Sequence, residues 1–351
     1  MVGVGGNHFG VTFNANKVHR KSGGPGFPAT GRHQRLRVRL SLRKAAWSSP
    51  TPTRSTGNPG EALPSLLLYY RVAEPLRPVY RYPAMVFADL DLSRQLERAE
   101  GQACLEFAES RHRLHPESGA AWMQCAGANV VFNGVDSPVT QTFGLGLFEP
   151  LIPGSLDQIE RFFQDRGAVV VHEVSPLAGI PTLDLLCARG YRPIELSSVM
   201  YRPVDRPGTR EDSAVTVRVA APEESALWAK VSARGWAHDN PDLRGFLEQF
   251  GAIAFARQQS VQFIAELDGQ PGAAGALSLH DGVALFVGAA TVPEMRRRGL
   301  QAALLEARMR YAFEHGYPLA MMVTEAGSQS QRNAERQGFR IAYTRTKWRL
   351  T

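Results

Sequence analysis

The chain has 351 residues, 44% hydrophobic and 21% charged, which is long enough for two ordinary domains and a tail. Its formal net charge of +7 is unevenly distributed. Residues 1–84 hold 13 Lys or Arg side chains and only Glu61 and Glu74 as acids, whereas the remainder holds 27 basic and 31 acidic side chains. This mildly acidic remainder argues against a nucleic-acid partner, and no apolar run approaches the roughly 18 residues of a membrane span.

Residues 1–84 have the composition of a disordered basic leader. Gly, Pro, Ser, Thr and Arg dominate, and without apolar periodicity the segment cannot bury enough surface to offset its ordering entropy. Three interpretations stay open: a tail or upstream extension of a chain that starts at Met85, an organelle transit peptide, or a basic nucleic-acid arm at 32–44. We favour the first, and expect the leader to be dispensable for folding and cofactor binding.

The three cysteines indicate neither disulfides nor a metal site. Cys104, Cys125 and Cys187 are odd in number, have apolar neighbours, and show no CxxC or His-paired spacing. We therefore predict small core residues and no bound metal.

From Met85 the apolar pattern is that of a folded α/β module, predicted to end near residue 204. In chain order it predicts a helix over 92–112, strands over 121–132 and 139–147 around a turn at 133–138, a helix capped by Ser155 through 166, a strand over 169–173, a helix over 181–189 and a strand over 193–201. Residues 205–213 are rich in Pro, Gly and charge, which predicts a linker.

The second module, predicted over 214–351, contains more elements. They are helices over 222–234 and 239–256, a hairpin over 262–280 turned at Asp268-Gly269, a second turn at Asp281-Gly282, a strand over 284–292, a helix from Gly299 to about His315, a strand over 319–324, a short helix over 328–337 and a closing strand over 339–350.

The two modules end in the same way, with a strand, a short helix, a Gly followed by an aromatic residue, and a strand. We interpret this as an internal repeat. The second copy has a basic loop, whereas in the first copy Gly144 and Gly146 run into Glu149-Pro150 with no arginine. Flexibility at the end of a strand is the favoured interpretation of this lone Gly-x-Gly pair.

A basic turn joins the strand over 284–292 to the helix that Gly299 opens. The first backbone amides of a helix have no partner inside the helix, its dipole favours an anion there, and a Gly lets the backbone approach phosphate closely. The turn Arg296-Arg297-Arg298-Gly299 therefore predicts a pyrophosphate site.

The spacing Arg296-x-x-Gly299 resembles the acetyl-CoA loop of the GCN5-related N-acetyltransferase (GNAT) superfamily. Gln301 stands where the family has its second small residue, and Ala302 follows it. The spacing Ser330-x-Arg332-x-x-Glu335-Arg336-x-Gly338-Phe339 is similar to the ending of the ribosomal-protein-acetylating branch. The resemblance implies a mixed α/β (α+β) sheet, two tandem GNAT-like domains of which the first is degenerate, and acetyl-CoA bound as co-substrate only in the second.

The resemblance also implies roles for individual residues. The pyrophosphate would be held at Arg296, Arg297, Arg298, Gly299, Gln301 and Ala302, the pantetheine arm would pair with the backbone of Ala290, Thr291 and Val292, and Ser330 and Arg332 would lie near the cofactor.

Transfer of an acetyl group to an amine requires the unprotonated amine, so a base is expected. Glu325, at the end of the strand facing the cleft, is the first candidate, with His280 and Asp281 as alternatives. Many family members use a Tyr four residues before the final Gly-Phe to protonate the thiolate, but Ala334 occupies that position here. Tyr343 is a weaker candidate for the acid.

The sequence thus predicts a cytoplasmic N-acetyltransferase that acts by direct attack of a primary amine on acetyl-CoA. The acceptor is expected to be a small molecule or a peptide, without nucleic acid or membrane as partner. The alternative is a non-catalytic protein of this fold that binds acyl-CoA or has a regulatory role. No motif marks the acceptor or the oligomeric state.

Overall fold

The computed structural model describes residues 86–206, 214–237 and 241–351. The predicted leader and most of the predicted linker therefore lie outside the described residues, as does the start of the helix predicted at Asp239.

The first half of the described chain has three helices and five strands. They are α1 Leu90–Leu114, β1 Ala121–Cys125, β2 Ala128–Phe132, β3 Gln141–Phe143, α2 Pro153–Gln164, β4 Val171–Val174, α3 Ile180–Ala188 and β5 Tyr191–Pro203.

The second half has four helices and six strands. They are β6 Val215–Val219, α4 Ser225–Trp236, α5 Arg244–Phe255, β7 Ser260–Leu267, β8 Gln270–His280, β9 Val283–Thr291, α6 Leu300–Glu314, β10 Leu319–Glu325, α7 Gln329–Arg336 and β11 Arg340–Leu350.

All the described strands form one mixed sheet, in the order β1-β2-β3-β4-β11-β5-β10-β9-β8-β7-β6. The last strands of the two halves are exchanged. β11, from the second half, pairs antiparallel with β4, and β5, from the first half, pairs antiparallel with β10. The two exchanged strands pair with each other at the centre of the sheet. The halves are therefore interleaved and share one continuous sheet.

The internal repeat predicted from the sequence is visible in the topology. In each half a strand leads through a helix to a parallel neighbour, β3 to β4 and β9 to β10, and a short helix then leads to the exchanged strand. The turn before each exchanged strand uses a glycine with positive φ, Gly190 at 88° and Gly338 at 80°. A side chain at these positions would be strained, which explains the Gly-aromatic signature.

Several boundaries differ from the prediction for local reasons. The single strand predicted over 121–132 is a hairpin, because Ala126 and Gly127 have φ of 49° and 72° and reverse the chain. Ser155 is not a helix cap; α2 begins at Pro153, with Ile152 in the cap position. Cys104 and Cys125 are buried as predicted, but Cys187 is exposed on α3.

Gly144 and Gly146 form a structural turn. Their φ angles are 77° and 74°, and a Cβ would lie 2.6 Å from the Phe148 ring at Gly144 and 2.4 Å from the Thr182 hydroxyl at Gly146. Glycine is required at both positions by the backbone and by the neighbouring side chains.

Helices cover both faces of the sheet. On one face α1, α4 and α5 pack over the central strands in a core that contains the fully buried Trp228. On the other face α6 packs on the second half of the sheet, while α2 and α3 pack on the first half. Apolar side chains alternate along β9 between the two cores, so both faces of this strand are buried.

A buried ionic cluster lies between α1 and the exchanged strand β11. The Arg345 guanidinium contacts the carboxylates of Glu97 at 3.1 Å and Glu100 at 2.6 Å from α1, and Glu173 of β4 at 3.0 Å. Lys347 lies 3.2 Å from Glu173. The contact between Arg345 Nε and Glu173 is an ion pair without hydrogen-bond alignment. These charges hold β11 of the second half against elements of the first half.

This cluster makes stability depend on pH. Burial raises the pKa of Glu100 to about 7, although Arg345 opposes the shift, and the neighbouring carboxylates of Glu97 and Glu173 add to it. The folded state therefore binds this proton more tightly than the unfolded state, in which the carboxyl titrates near 4.5. The stabilisation that this proton contributes is complete below pH 4.5 and is lost as the pH rises towards about 7.

We expect Glu100→Gln to reduce the loss of stability between pH 5 and pH 8, because Gln cannot ionise. The midpoint of urea unfolding, followed by circular dichroism at several pH values, measures this. Glu117→Gln, at an exposed position, should keep the pH dependence of the parent protein. If stability falls as steeply between pH 5 and pH 8 in Glu100→Gln as in the parent protein, the Glu100 carboxyl is already ionised at pH 5.

Candidate functional site

Strands β9 and β10 diverge towards their carboxyl ends. Their pairing is parallel and involves Leu319 with Val283, Ala320 with Ala284 and Met321 with Leu285. β9 continues to Thr291 and β10 to Glu325, yet within the described part of the chain no further pairs join them. The gap leaves one backbone edge of each strand available to a ligand that can pair with main-chain groups.

A β-bulge in β9 lies close to the point of divergence. The register between β8 and β9 shifts between Ala274–Ala290 and Ala276–Val287, so Gly288 and Ala289 together oppose Gly275. Gly288 has a φ of 62°, which favours glycine. The bulge changes the direction of β9 just where the gap begins.

The turn between β9 and α6 presents unpaired backbone amides. Arg297 and Gly299 have φ of 63° and 85°, and the first backbone hydrogen bond of α6 runs from Ala303 N to Gly299 O at 3.0 Å. Among the described residues, none accepts a hydrogen bond from the amides of 297–302. An ideal Cβ on Gly299 would have nothing within 4 Å. This helix start therefore offers an open site with the donors that an anion such as phosphate requires.

The three arginines of the turn have different surroundings. Arg296 folds back on the protein, donating from Nε to Thr291 O at 3.3 Å and from Nη2 to Gly235 O of α4 at 3.1 Å. Arg298 forms an exposed ion pair with Asp268 at 3.7 Å. Arg297 is also exposed. Arg296 thus fixes the turn against α4, while Arg297 and Arg298 supply positive charge around the amides.

A cleft occupies the gap between β9 and β10 on the face covered by α6 and α7. Its lining comprises Phe286, Ala289, Gln301, Arg308, Met322, Val323, Thr324 and Ser330. Thr291 Oγ1 donates to Gln301 Oε1 at 3.4 Å, so Gln301 closes over the end of β9.

Two predicted cofactor residues, Gln301 and Ser330, line the cleft. The helix cap of α7 is Ser328, whose Oγ accepts from Gln331 N at 3.2 Å, so the Ser330 hydroxyl is not used for capping. The predicted cofactor residues outside the basic turn that do not line the cleft have different exposures: Ala290, Thr291 and Val292 are buried at and just after the end of β9, Ala302 is exposed in the first turn of α6, and Arg332 is exposed on α7.

The structure does not bring the four candidate catalytic residues together. Glu325 is exposed at the carboxyl end of β10, beside the gap, and is opposite Ser197 of β5. His280 and Asp281 lie at the other end of the sheet, in the turn that precedes β9. Glu325 therefore lies at the end of the sheet at which β9 and β10 diverge, and His280 and Asp281 do not.

His280 and Asp281 have contacts with α1. His280 Nε2 lies 3.5 Å from Glu106 Oε2, and Gln95 Nε2 donates to the backbone oxygen of Asp281 at 3.1 Å. Burial opposes ionisation of Glu106, but the nearby His280 ring and the backbone amide of Gln259, which donates to Oε1, hold the pKa of Glu106 below the usual value. These contacts attach α1 to the β8–β9 turn.

Tyr343 belongs to the buried ionic cluster. Its hydroxyl donates to Glu97 Oε1 at 2.9 Å, and burial together with the Glu97 charge holds the pKa of the phenol well above its usual value. A phenol with this partner and no exposure to the gap packs and anchors α1. Ala334, in the position where the family often has a tyrosine, is buried against α6.

Sequence reasoning missed one charged residue of the cleft. Arg308 of α6 is 1% exposed and lines the cleft near the bulge. Its position in the sequence, among the apolar positions of α6 rather than on the helix's polar side, was the available signal.

The described residues contain no cluster of three or more His, Cys, Asp or Glu side chains arranged to hold a metal ion. Among the helices of the same residues, none combines the length and apolar character needed to cross a membrane.

Comparisons with known proteins match part of the chain to a family. Residues 225–339 match the sequence model of the acetyltransferase (GNAT) family. This range begins at α4 and ends just before β11, so it includes β9, the basic turn, α6 and β10. No curated protein matches the sequence.

Solved structures similar to this chain include several acetyltransferases. A GCN5-related N-acetyltransferase from Kribbella flavida is 17% identical, with 69% of this chain and 93% of that chain covered and a TM-score of 0.51. One from Sphaerobacter thermophilus is 17% identical, with 74% and 93% covered and a TM-score of 0.44. A tandem GNAT protein from the clavulanic acid biosynthesis pathway is 14% identical, with 76% and 97% covered and a TM-score of 0.49.

Proposed function

We propose that the second half of the chain, whose residues 225–339 match the acetyltransferase (GNAT) family model, is an acetyl-CoA-dependent N-acetyltransferase acting on a primary amine. The observation that carries the proposal is the continuity between the unpaired amides at 297–302 and the gap between β9 and β10. One end offers donors to a pyrophosphate, and the other offers backbone to an extended amide-containing arm.

The residues present fit acetyl-CoA. The pyrophosphate requires amide donors and cations, which the start of α6 supplies together with Arg297 and Arg298. The pantetheine arm carries amides that pair with the free edge of β9 at Ala290 and Thr291. Ser330 and Gln301 add polar side chains along the cleft.

The reaction joins the acceptor nitrogen to the thioester carbonyl carbon. The unprotonated amine attacks, the carbon–sulfur bond breaks, the thiol of CoA leaves with a proton, and the product is an amide. Because a lysine-like ammonium has a pKa of about 10.4, a base is required near neutral pH. Glu325 is proposed for this role, since it lies at the open end of the gap and is exposed to an incoming acceptor.

The first half is proposed to lack a cofactor site of its own. Its β3–β4 pair repeats the arrangement of β9 and β10, but its connection begins with the turn at Gly144 and Gly146 and continues to Glu149-Pro150 without arginines. A single acetyl-CoA site per chain is therefore expected in calorimetric titration.

Glu325→Gln should lower kcat by roughly 100-fold at pH 7 while the affinity for acetyl-CoA stays unchanged, because a missing base slows proton removal without touching the cofactor. Part of the loss should return at higher pH, where more of the acceptor is already unprotonated. Thiol release from acetyl-CoA, measured across a panel of amines, peptides and aminoglycosides, gives the rate at pH 7 and at the higher pH. Glu335→Gln, at an exposed carboxylate on the neighbouring α7, is the matched control.

If Glu325→Gln turns over like the parent protein at pH 7, the base is another group. The alternative function, a non-catalytic protein that binds acyl-CoA, is supported by Ala334 in the place of the family's tyrosine. It predicts saturable binding of acetyl-CoA with no acceptor-dependent thiol release in the whole panel.

A further inference from the structure

Arg308 is a buried cation without a carboxylate partner at the inner end of the cleft. It is 1% exposed, and within the described part of the structure no Asp or Glu lies within ion-pair distance of its guanidinium. Burial lowers its pKa to about 9, with no charged group among the causes, so the side chain is still mainly protonated at neutral pH. A buried cation without an anion is costly unless a ligand supplies the negative charge.

The hydrogen bonds of Arg308 leave part of the guanidinium available. Nε donates to Leu304 O at 3.1 Å, and Nη1 donates to Ala276 O at 3.2 Å and Val287 O at 3.5 Å. No described group accepts from Nη2, although the side chain lines the cleft. The guanidinium also lies 4.8 Å from the centre of the Phe286 ring, which fixes its plane.

The place of Arg308 along the cleft identifies the part of a ligand it would meet. Val287, whose carbonyl it binds, is two residues beyond Leu285, the last residue of β9 that pairs with β10. This is the closed end of the gap. The phosphate-binding amides are at the opposite, open end, and from Leu300 to Arg308 α6 rises by about 12 Å. A CoA thioester with its phosphates at α6 directs its acyl group towards the closed end.

We propose that Arg308 selects acyl donors whose acyl group ends in a carboxylate, such as malonyl-CoA or succinyl-CoA. This inference rests on the proposed function, since it assumes that the cleft binds a CoA thioester. A guanidinium matches a carboxylate geometrically, and Ser330 of the same cleft carries a hydroxyl that can donate to its second oxygen. An acetyl group carries no charge and would leave the cation unpaired, so this inference concerns the preference among acyl groups and leaves the site for the CoA part of the donor unchanged.

The test compares donors on the full chain, without mutation. Dissociation constants of malonyl-CoA and butyryl-CoA, which have similar length but differ in the terminal carboxylate, are measured by calorimetry, as are those of succinyl-CoA and pentanoyl-CoA. At least one carboxylated donor should bind about 10-fold or more tightly than its neutral partner, as a charged hydrogen-bonded pair predicts. Mass spectrometry of an acceptor amine then shows which acyl group is transferred.

Two variants separate recognition from folding. Arg308→Met should remove the preference and leave the affinity for butyryl-CoA within a few-fold of the parent. Arg308→Lys keeps the charge and should retain part of the preference even if Arg308→Met unfolds. Arg310→Met, at a half-buried position two residues along α6, should keep the full preference.

Equal affinity for carboxylated and neutral donors in the parent protein would overturn the inference and leave the proposed function intact. Arg308 would then serve only to hold the carbonyls of the bulge. Failure of every CoA thioester to bind would instead contradict the proposed function.

Discussion

Gly299→Val should weaken binding of acetyl-CoA by about 100-fold while the protein still folds. In the parent chain Gly299 has a φ of 85° and space around its missing Cβ, at the start of a helix whose first amides have no partner. A branched side chain at this position extends into the place where phosphate oxygens would meet the amides of 297–302. Losing two charge-assisted hydrogen bonds, at about 1.5 kcal/mol each, weakens binding by about 100-fold.

The matched control is Gly316→Val at the other end of the same helix. Gly316 has a φ of 75° and nothing within 4 Å of an ideal Cβ, so a valine there introduces similar backbone strain without approaching the cleft. The melting temperature should fall by a similar amount in both variants. Calorimetry should show a weaker affinity for the cofactor only in Gly299→Val. Normal affinity in Gly299→Val would show that the phosphates bind elsewhere.

The local parts of the fold could be predicted from sequence because they depend on local rules. The helix start at Gly299, the turn at Asp281-Gly282 and the closing turn at Gly338 were each predicted from residues that tolerate positive φ, and each has it in the structure. The hairpin at Ala126-Gly127 was missed because Ala rarely adopts positive φ, so the residue type at 126 does not indicate a turn.

The exchange of β5 and β11 could not be predicted from periodicity. Alternation of apolar residues shows that a strand has a buried face, but it does not show which strands are its neighbours. Both strands are long and both follow a Gly-aromatic turn, so the sequence is equally compatible with two separate sheets. The ionic contacts that join β11 to α1 and β4 belong to the arrangement in which the strands are exchanged.

The candidate site was predicted unevenly for the same reason. The cofactor residues lie next to one another in the sequence, between the end of β9 and the start of α6, so a local motif finds them. Candidates for catalysis come from separate segments, and the structure places His280 at the opposite end of the sheet from Glu325. Arg308 lies 12 residues beyond Arg296 and belongs to no motif, so its place among the apolar positions of α6 is the one sequence signal noted for it.

The sequence contains a signal for the buried ionic cluster. Tyr343, Arg345 and Lys347 recur at every second position of β11, which places all three on one face of the strand. Glu97 and Glu100 lie within the apolar stripe of α1. Charges at core positions of two elements indicate that the elements meet, since buried charges require partners.

Arg345→Met should be among the most destabilising substitutions in the chain, at about 3–5 kcal/mol. Arg345 is fully buried, and its guanidinium is the shared partner of Glu97, Glu100 and Glu173. Methionine has a similar volume, so the loss comes from the three carboxylates rather than from a cavity. Lys347 reaches Glu173 but is not in contact with Glu97 or Glu100, so it cannot replace the missing charge.

The loss should depend on pH in a direction that identifies its cause. Burial already raises the pKa values of Glu97 and Glu100, and removing the guanidinium that opposes this shift raises them further. Protonated carboxyls tolerate burial better than carboxylates, so Arg345→Met should be less destabilised at pH 5 than at pH 8. Urea unfolding at both pH values measures the difference. Arg349→Met, half-buried on the same strand, should change stability little at either pH, and a loss below about 1 kcal/mol in Arg345→Met at pH 8 would mean that β11 is held by its backbone pairing and apolar contacts alone.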